Sequence, residues 1–355
     1  MKNRTSPGGS RWPAVVCLGE VLTDFVAVDA TVPLHRATDF HRAAGGAPAN
    51  VAVALARLGT GVAFIGKVGG DAFGLSLRET LVAEGVSVCG LREAPSAHTA
   101  LAFVGSDGHG GRSFVFYHEG TAHTLLRPEE VDRDLIGHAR IFHFGSVTLA
   151  ADPGRSATAA AARWARDSGC LVSFDPNVRL EVWDSPNRAR DAIVDMLRLV
   201  DVVKVASDEL SFLAGTSDAA EACGVLREYG PELAIVTLGG GGCYYQTPTT
   251  SGQVAGVEVE AVDSLGAGDA FVGGFLAVLA AFPDRTALRD EGLLVPALRF
   301  ANAVGAITTT RHGAIPALPT RAEVEALLNR QAHTGAELAA REDPGVPSDE
   351  SHTPS

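Results

Sequence analysis

The segment best suited to phosphate chemistry is a glycine-rich turn followed at once by an acidic residue. It reads Gly266-Ala267-Gly268-Asp269 within AVDSLGAGDAFVGGF, and a helix is predicted directly after it. Backbone N–H groups at a helix start have no partner within the helix and lie at the positive end of its dipole, so they bind anions. We therefore expect the amides of Gly266, Ala267 and Gly268 to face a transferring phosphoryl group.

Asp269 is the candidate general base. A carboxylate beside an anion site can accept the proton of a substrate hydroxyl as that hydroxyl attacks phosphorus. An acidic residue in the first turn of a helix also has a purely structural explanation, because its charge complements the helix dipole. The local sequence leaves both interpretations open.

A second glycine-rich turn, in GGAPANVAVALARLG, also leads into a predicted helix. Gly45 and Gly46 allow the backbone to approach a ligand or to act as a hinge, and Pro48 suits the first turn of a helix. Asn50 is a polar residue in an otherwise apolar helix. It is either a ligand-binding side chain or a hydrogen-bond partner of a neighbouring loop.

Two common nucleotide-binding patterns are absent from the sequence. Neither glycine-rich turn reads GxxxxGK[ST], so no P-loop is predicted. The four glycines at 239–242 follow the apolar run LAIVTL, but the next residues, CYYQ, are typical of a strand and not of the helix that a dinucleotide-binding loop requires. A nicotinamide-dependent dehydrogenase is therefore disfavoured.

Short apolar runs alternate with amphipathic stretches along most of the chain. Strands are predicted at 14–19, 62–69, 140–145, 171–175, 201–205 and 233–239. Helices are predicted at about 48–58, 72–84, 153–168, 186–199, 207–214, 218–229, 268–282 and 286–310. Apolar strands separated by helices favour a mainly parallel sheet covered on both faces, so the predicted fold class is a doubly wound α/β domain.

Residues 21–43 and 97–117 depart from this rhythm, because they alternate polar and apolar side chains and contain turn residues. Ser106-Asp107-Gly108 predicts a hairpin. We expect the two stretches to form a small antiparallel sheet inserted into the α/β domain. Such a sheet has one dry and one wet face, so it must cover a substrate cleft, a partner subunit or both.

Composition and charge limit the partners of the protein. The 355 residues include 29 Lys and Arg against 42 Asp and Glu, a net charge of −13 that disfavours nucleic acid and anionic membranes. Five widely spaced cysteines, without a CxxC pair, fit a reducing cytoplasm. The N-terminus lacks the apolar segment of a signal peptide, and the longest apolar run, 271–282, is too short to span a membrane.

The two ends of the chain are expected to differ from the folded domain at 14–330. Residues 1–13 are predicted to be a flexible N-terminus. Residues 331–355 are rich in Pro, Ser, Gly and acidic residues, so a disordered acidic tail is predicted there.

The segments GGAPANVAVALARLG and DSLGAGDAFVGGF resemble the two signature segments of the ribokinase-like (PfkB) carbohydrate and nucleoside kinases, in the same order and about 220 residues apart. The resemblance covers about Val15 to Arg330 and implies a ribokinase-like fold whose inserted sheet is a lid over the sugar. Further segments are similar to the fructokinase branch: CLGEVLTDFV, GKVGGDAFG, FHFGSVTL, DPNVRLEVW, KVASDELSFLAG, VTLGGGG and FANAVGAITTTRHGAIPALPT.

The resemblance implies roles for residues at matching positions. Asp269 matches the catalytic base, Gly266, Ala267 and Gly268 match the anion hole, and Arg179 matches a cation that reaches the phosphates. On the sugar side the matching residues are Asp24, which resembles an acid that binds hydroxyl groups, and Gly45, Gly46 and Asn50, which resemble the sugar-binding turn and its hinge.

For the co-substrate, the resemblance implies an ATP loop and a lysine–glutamate pair near the triphosphate. Glu209 is implied to organise Mg²⁺ through water, since Mg²⁺ usually keeps several waters in proteins. The implied ATP-binding residues are Lys204, Glu209, Thr237, Gly239, Gly242 and Asn302. A monovalent-cation site, for K⁺, is implied at Asp263 and the carbonyl groups of Leu265, Thr308, Arg311 and Gly313.

Three positions depart from the family pattern. Ala206 stands where the family usually has Asn or Ser, which removes one polar contact near the metal. Ser264 replaces the usual Thr, and His118 stands where many fructokinases have Arg. The change at His118 leaves the identity of the sugar open.

The sequence therefore predicts a cytoplasmic, ATP-dependent sugar kinase, most similar to fructokinases, that makes fructose 6-phosphate. Alternatives within this class are a 2-keto-3-deoxygluconate kinase, a ribokinase and a nucleoside kinase. An alternative of another class is a catalytically silent regulator that binds sugar or nucleotide, because a fold does not by itself deliver function. A homodimer formed through the lid is expected, and no nucleic-acid or membrane partner.

Overall fold

The structure, a computed structural model, describes residues 12–29, 31–107, 112–282 and 285–342. The strands are β1 (Val15–Leu18), β2 (Leu22–Ala27), β3 (Phe40–Gly45), β4 (Val62–Gly69), β5 (Ser87–Ala94), β6 (Leu101–Ser106), β7 (Arg112–Tyr117), β8 (Ile141–Gly145), β9 (Leu171–Asp175), β10 (Val202–Ala206), β11 (Leu233–Thr237), β12 (Cys243–Gln246) and β13 (Ser251–Val254). The α-helices are α1 (Ala47–Arg57), α2 (Ala72–Ala83), α3 (Arg133–Gly137), α4 (Gly154–Asp167), α5 (Pro186–Leu197), α6 (Leu210–Leu213), α7 (Ala219–Glu228), α8 (Ala267–Leu279), α9 (Thr286–Arg289), α10 (Glu291–Thr309) and α11 (Arg321–Glu342).

The larger sheet has nine strands in the order β13-β12-β11-β10-β9-β8-β1-β4-β5. All pairs from β11 to β5 are parallel, and β12 and β13 add two antiparallel strands at one edge. This arrangement confirms the predicted mainly parallel α/β fold. Because parallel strands end at the same edge, the loops that follow β1, β8, β9 and β10 are neighbours in space.

Both faces of the larger sheet are covered by helices, which explains why its central strands are mostly apolar. In β1, Val15 and Cys17 belong to the core shared with α1, α8 and α10. Val16 and Leu18 point the other way, into the core shared with α4, α5 and α7. All four side chains are fully buried, and burial of this kind contributes roughly 1.5–3 kcal/mol for each large aliphatic side chain.

Residues 21–43 and 97–117 contribute four strands to a second, separate sheet, here called the lid sheet, with the order β3-β2-β6-β7. The β2–β3 and β6–β7 pairs are antiparallel, but the central β2–β6 pair is parallel. The prediction of an entirely antiparallel sheet was therefore wrong at its centre. The reason is that β2 follows β1 and β6 follows β5, and both leave the same edge of the larger sheet in one direction. The predicted hairpin turn was Ser106-Asp107-Gly108, and of these three residues Gly108 lies outside the described residues.

The chain ends also differ from the predictions. Helix α11 continues to Glu342, whereas disorder was predicted from residue 331. The segment AHTGAELAARE at 332–342 is rich in alanine and other strong helix formers, while the prolines of the tail follow it. At the other end, Trp12 stacks on His138 with ring centroids 4.1 Å apart, although it falls in the stretch predicted to be flexible. Residues 1–11 and 343–355 lie outside the described residues.

Helix α10 is long and apolar enough to cross a membrane by length and composition alone, but 61% of that stretch is buried inside the protein. It packs along α8, and its buried residues belong to the core beside the larger sheet. Both features are those of a core helix.

Candidate active site

Two signature helices meet above the carboxyl edge of the larger sheet. Helix α8 begins there and packs between α1 and α10. Gly266 precedes α8 with a φ of 76°, a left-handed conformation that favours glycine, and a Cβ at this position would lie 2.7 Å from the Cβ of Ala314. Glycine thus allows a sharp turn into the helix. The amide of Ala267 makes a long, 3.3 Å bond to the carbonyl of Ser264, and the first-turn amides have no acceptors within the helix.

Asp269 lies in the first turn of α8 and is buried. Its Oδ2 accepts a hydrogen bond of 2.8 Å from Nδ2 of Asn50, which lies in the first turn of α1. Burial raises the pKa of Asp269 to about 6, and the Asn50 bond acts in the opposite direction. Lys204 and Arg179 also lower the pKa of this carboxyl group and so favour its ionised form, which is the form that can accept a proton.

Lys204 is the cation beside the start of α8. Its Nζ would lie 3.1 Å from a Cβ at Gly268, and it pairs with Oδ2 of Asp175 at 3.0 Å. Burial acts against the charge of this lysine, but Asp175 and Glu209 outweigh it, so the pKa of Lys204 is raised. A fixed ammonium group therefore lies at the anion-binding end of α8.

Both carboxylate oxygens of Glu209 are already engaged. Oε1 accepts a bond of 2.6 Å from the amide of Val178, and Oε2 accepts one of 2.7 Å from the amide of Ala206. Burial, with Asp175 nearby, raises the pKa of Glu209. Glu209 thus joins the end of β10 to the loop after β9.

That loop carries Arg179 toward the lid sheet. Nη1 of Arg179 donates to the carbonyl of Val178 at 2.9 Å, and the guanidinium lies 5.8 Å from the ring centroid of Phe114 in β7. Its charge favours the ionised forms of Asp24 and Asp269. Arg179 therefore stands between the lid sheet and the start of α8.

Asp24 projects from β2 toward the glycine turn at the end of β3. A Cβ at Gly45 would lie 2.0 Å from Oδ2 of Asp24, so only glycine leaves room for this carboxylate. Loss of hydration raises the pKa of Asp24 to about 7, and the charge of Asp269 adds to the shift. Gly46 follows and directly precedes α1, which places the sugar-side candidates next to Asn50.

The sequence analysis missed three polar residues of this site: Glu20, Ser146 and Asp175. Each lies at the end of β1, β8 or β9 or within two residues of it, and those strands are neighbours in the sheet. Glu20 Oε2, Ser146 Oγ and Asp175 Oδ1 are buried without a hydrogen-bond partner, as is Oδ1 of Asn50. A polar residue directly after an apolar parallel strand was the signal that could have identified them.

A cavity of about 510 Å³ lies on the other side of the start of α8. Thr237, Gly239, Gly242 and Asn302, which were predicted to bind ATP, line it. Nδ2 of Asn302 donates to the carbonyls of Val254 and Ala255, so this side chain holds one wall of the cavity in place. The remaining lining comes from Gly240, Gly256, Val257, Glu258, Val259, Ala261, Ala267, Gly268, Phe271, Gly305, Ala306 and Thr309.

Except for Thr308, which lies in α10, the predicted cation-binding residues lie in two loops that Asp263 joins. Its Oδ1 accepts from the amide of Leu265 and its Oδ2 from the amide of Gly313, both at 2.9 Å. Thr308 is buried near the end of α10, and the side chain of Arg311 pairs with Glu323. In the part of the chain that the structure describes, no three His, Cys, Asp or Glu side chains are grouped so that they could hold a metal ion.

The chain is similar to several proteins that are described as fructokinases. A protein from Arabidopsis thaliana described as "Probable fructokinase-7" is 46% identical over 332 residues, 93% of this chain and 96% of that protein. The fructokinase of Xylella fastidiosa with bound ATP has a TM-score of 0.81 at 39% identity, covering 90% of this chain and 98% of that one. The fructokinase of Vibrio cholerae O395, in a form with fructose, ADP and calcium ion bound, has a TM-score of 0.80 at 36% identity. The match covers 88% of this chain and 98% of that one.

The model of the pfkB family of carbohydrate kinases matches residues 13–321. That stretch includes both signature turns, the lid sheet and every residue of the site described above. The resemblance and the fold expected from the sequence are thereby confirmed, and the chain belongs to the pfkB family of carbohydrate kinases, which are phosphotransferases.

Proposed function

We propose that this protein is an ATP-dependent fructokinase, which transfers the γ-phosphoryl group of ATP to a hydroxyl of fructose to form fructose 6-phosphate. The observation that carries the proposal is the position of Asp269. It lies between the carboxylate of Asp24 on the lid side and the 510 Å³ cavity, at the anion-binding start of α8. The similarity to fructokinases selects fructose among the sugars.

In the proposed reaction Asp269 accepts the proton of the attacking hydroxyl. Asn50 occupies Oδ2 of Asp269 and leaves Oδ1 for the sugar. The amides of Gly266, Ala267 and Gly268, with Lys204, hold the charge of the transferring phosphoryl group, and no backbone movement is needed for them to do so. Arg179 approaches the same group from the lid side.

The sugar binds between the lid sheet and α1 in this proposal. Asp24 accepts hydrogen bonds from two sugar hydroxyls, and the turn at Gly45 and Gly46 allows the sugar to approach the backbone. The unpartnered oxygen of Ser146 lies at the same edge of the sheet and fits a polar group of the sugar.

ATP enters the cavity with its adenine near Asn302 and its phosphates toward Gly268. Gly239 and Gly242 have positive φ angles of 56° and 91°, which form the tight turn of the ATP loop beside Thr237. Mg²⁺ would be held chiefly by phosphate oxygens and water. Glu209 and the free Oδ1 of Asp175 are the acidic groups that fit water-mediated contacts to it. The ion would offset the negative charge of the phosphates.

We also propose a K⁺ site at the two loops joined by Asp263, with the carbonyl groups of Leu265, Thr308, Arg311 and Gly313 as ligands. Carbonyl oxygens can replace the hydration shell of K⁺. The support is that Asp263 draws the two loops together next to the start of α8. An ion there would act on the anion hole through that loop.

A homodimer through the lid sheet is part of the proposal. The face opposite Asp24 carries a cluster of aromatic rings, in which Phe103 contacts Phe25, Phe40 and Tyr117. Tyr117 is 61% exposed, and apolar surface of this kind is stabilised when a second copy covers it.

All five cysteines are free thiols, which supports a cytoplasmic location.

The test of the proposed function is ADP release from MgATP with fructose, ribose, 2-keto-3-deoxygluconate and a nucleoside, each in potassium or choline chloride. We expect kcat/KM to be highest with fructose, and higher in potassium. A preference for another sugar would assign a different carbohydrate kinase. Binding of fructose and ATP without ADP release would instead assign the silent regulator.

A further inference from the structure

Glu20 is a buried acidic residue that supports the start of α1 from outside the helix. It follows β1 by two residues and is only 3% exposed. Its Oε1 accepts a bond of 2.9 Å from the amide of Ala47, the first residue of α1. The residue that precedes the helix is Gly46, which has no side chain to cap it. Glu20 therefore supplies the cap from 27 residues away.

The same helix turn carries the partner of Asp269. The amide of Asn50 bonds to the carbonyl of Gly46 at 2.9 Å, so Ala47 and Asn50 belong to one rigid turn. Nδ2 of Asn50 then reaches Oδ2 of Asp269 at 2.8 Å. A continuous path of contacts joins Glu20 to Asp269.

The carboxyl group of Glu20 lies within electrostatic range of the charged groups of the site. Oε2 is buried with no hydrogen-bond partner. Asp269 of α8 and Arg179 of the loop after β9 are the charges that act on Glu20, and its pKa is raised to about 7, chiefly by burial. The charges of Asp175 and Lys204 act on the pKa of Asp269. The charge of Asp269 in turn raises the pKa of Asp24 in the lid sheet.

We propose that Glu20 is a positioning residue for catalysis: its carboxyl group fixes the first turn of α1, so that Asn50 holds Asp269. The inference rests on the proposed role of Asp269 as general base. The hydrogen bond to the amide of Ala47 carries the effect, because it sets the position of that turn.

Two substitutions test this positioning role. Glu20→Gln keeps an oxygen that can accept from the amide of Ala47, so we expect its kcat to stay within about threefold of the original. Glu20→Ala removes the cap. Its kcat, corrected for the folded fraction, should fall at least about tenfold, while KM for ATP stays unchanged.

The matched control is Asp201→Asn. Asp201 also accepts a bond from a backbone amide, that of Val172, and pairs with Arg285, but it lies at the opposite, amino edge of the sheet. It should lower the melting temperature without changing the kcat of the folded protein. Full kcat in Glu20→Ala, or a kcat in Glu20→Gln as low as that of Glu20→Ala, would overturn the inference. If Glu20→Ala fails to fold, Glu20→Asp decides, because its carboxyl group ends one carbon short of the Ala47 amide: kcat should fall with KM for ATP unchanged, and full kcat would overturn the inference.

The inference and the proposed base role fail in different ways. If Asp269→Asn is inactive while the Glu20 variants behave as the original protein does, only the role of Glu20 is refuted. Asp269→Asn that keeps its turnover would refute both.

Discussion

Nδ2 of Asn50 donates a 2.8 Å hydrogen bond to Oδ2 of Asp269, and the two residues are 219 positions apart in the chain. Each lies in the first turn of a helix that follows a glycine-rich turn, and the two helices pack on each other. The bond therefore joins the two signature segments at one point. It also orients the carboxylate, because one oxygen is held by α1 while the other remains open to a substrate hydroxyl.

Gly45→Ala should disable sugar binding without harming the nucleotide site. The new methyl group would lie 2.0 Å from Oδ2 of Asp24, so the carboxylate must move away. Loss of its hydrogen bonds to buried hydroxyls is expected to weaken fructose binding by about 1–3 kcal/mol, roughly a five- to 150-fold rise in Kd. Calorimetric titration with fructose and with ATP measures both affinities.

The control for that substitution is Gly224→Ala in α7, where the nearest atom to the new methyl group is 4.0 Å away. It should leave both affinities unchanged. Unaltered fructose affinity in Gly45→Ala would show that the carboxylate of Asp24 does not contact the sugar.

Ala306→Phe should block the nucleotide cavity. Ala306 lies in α10 and lines that cavity, and a phenyl ring there would occupy space assigned to ATP. KM for ATP is expected to rise at least about tenfold while fructose affinity stays the same, as steady-state kinetics with each substrate varied can show. Ala220→Phe adds the same ring at an exposed position of α7 and should change neither the KM for ATP nor the affinity for fructose. A normal KM for ATP in Ala306→Phe would place ATP elsewhere.

Glu20→Gln should stabilise the protein in alkaline but not in acidic solution. The folded pKa of Glu20 is about 7, above its ordinary value of 4.5. The folded state therefore binds this proton more tightly than the unfolded state, and the stability contributed by this group falls as pH rises between these two values. The glutamine variant cannot ionise. We expect its free energy of unfolding to exceed that of the original protein by on the order of 1–2 kcal/mol at pH 8, and by little at pH 4.5.

Urea unfolding of both proteins at pH 4.5 and pH 8 measures that difference. A gain of the same size at both pH values would mean that the effect comes from packing and not from ionisation. A loss at pH 8 would mean that the ionised carboxylate is stabilised in the folded protein.

The sequence predicted those parts of the fold that a periodic pattern determines. The mostly apolar runs of β1, β4, β8, β9, β10 and β11 are parallel strands of the larger sheet, as expected. Strand β5 was missed, because it lies at the sheet edge, is only partly buried and includes Arg92 and Glu93. The parallel β2–β6 pair could not be read from alternation, which is the same for either strand direction.

The site residues, too, fall into those that the sequence could predict and those that it could not. Glycine-rich turns at helix starts have a local signal, so Gly266, Gly268 and Asp269 could be identified, and resemblance to a family supplied Asp24 and Asn50. Glu20, Asp175 and Ser146 have no motif of their own. Their importance arises from β1, β8 and β9 being neighbours, which is a property of the sheet order and not of any single segment.

Asp269→Asn is the most direct test of the proposed mechanism. The substitution keeps the size of the side chain but removes its ability to accept the hydroxyl proton, while the backbone amides of the anion hole are unaffected. The account predicts that kcat with saturating fructose and MgATP falls at least about 100-fold, with fructose and ATP affinities little changed. A variant that keeps a substantial fraction of the original kcat would contradict it, and Asp269 would then be only an acidic residue at the start of a helix.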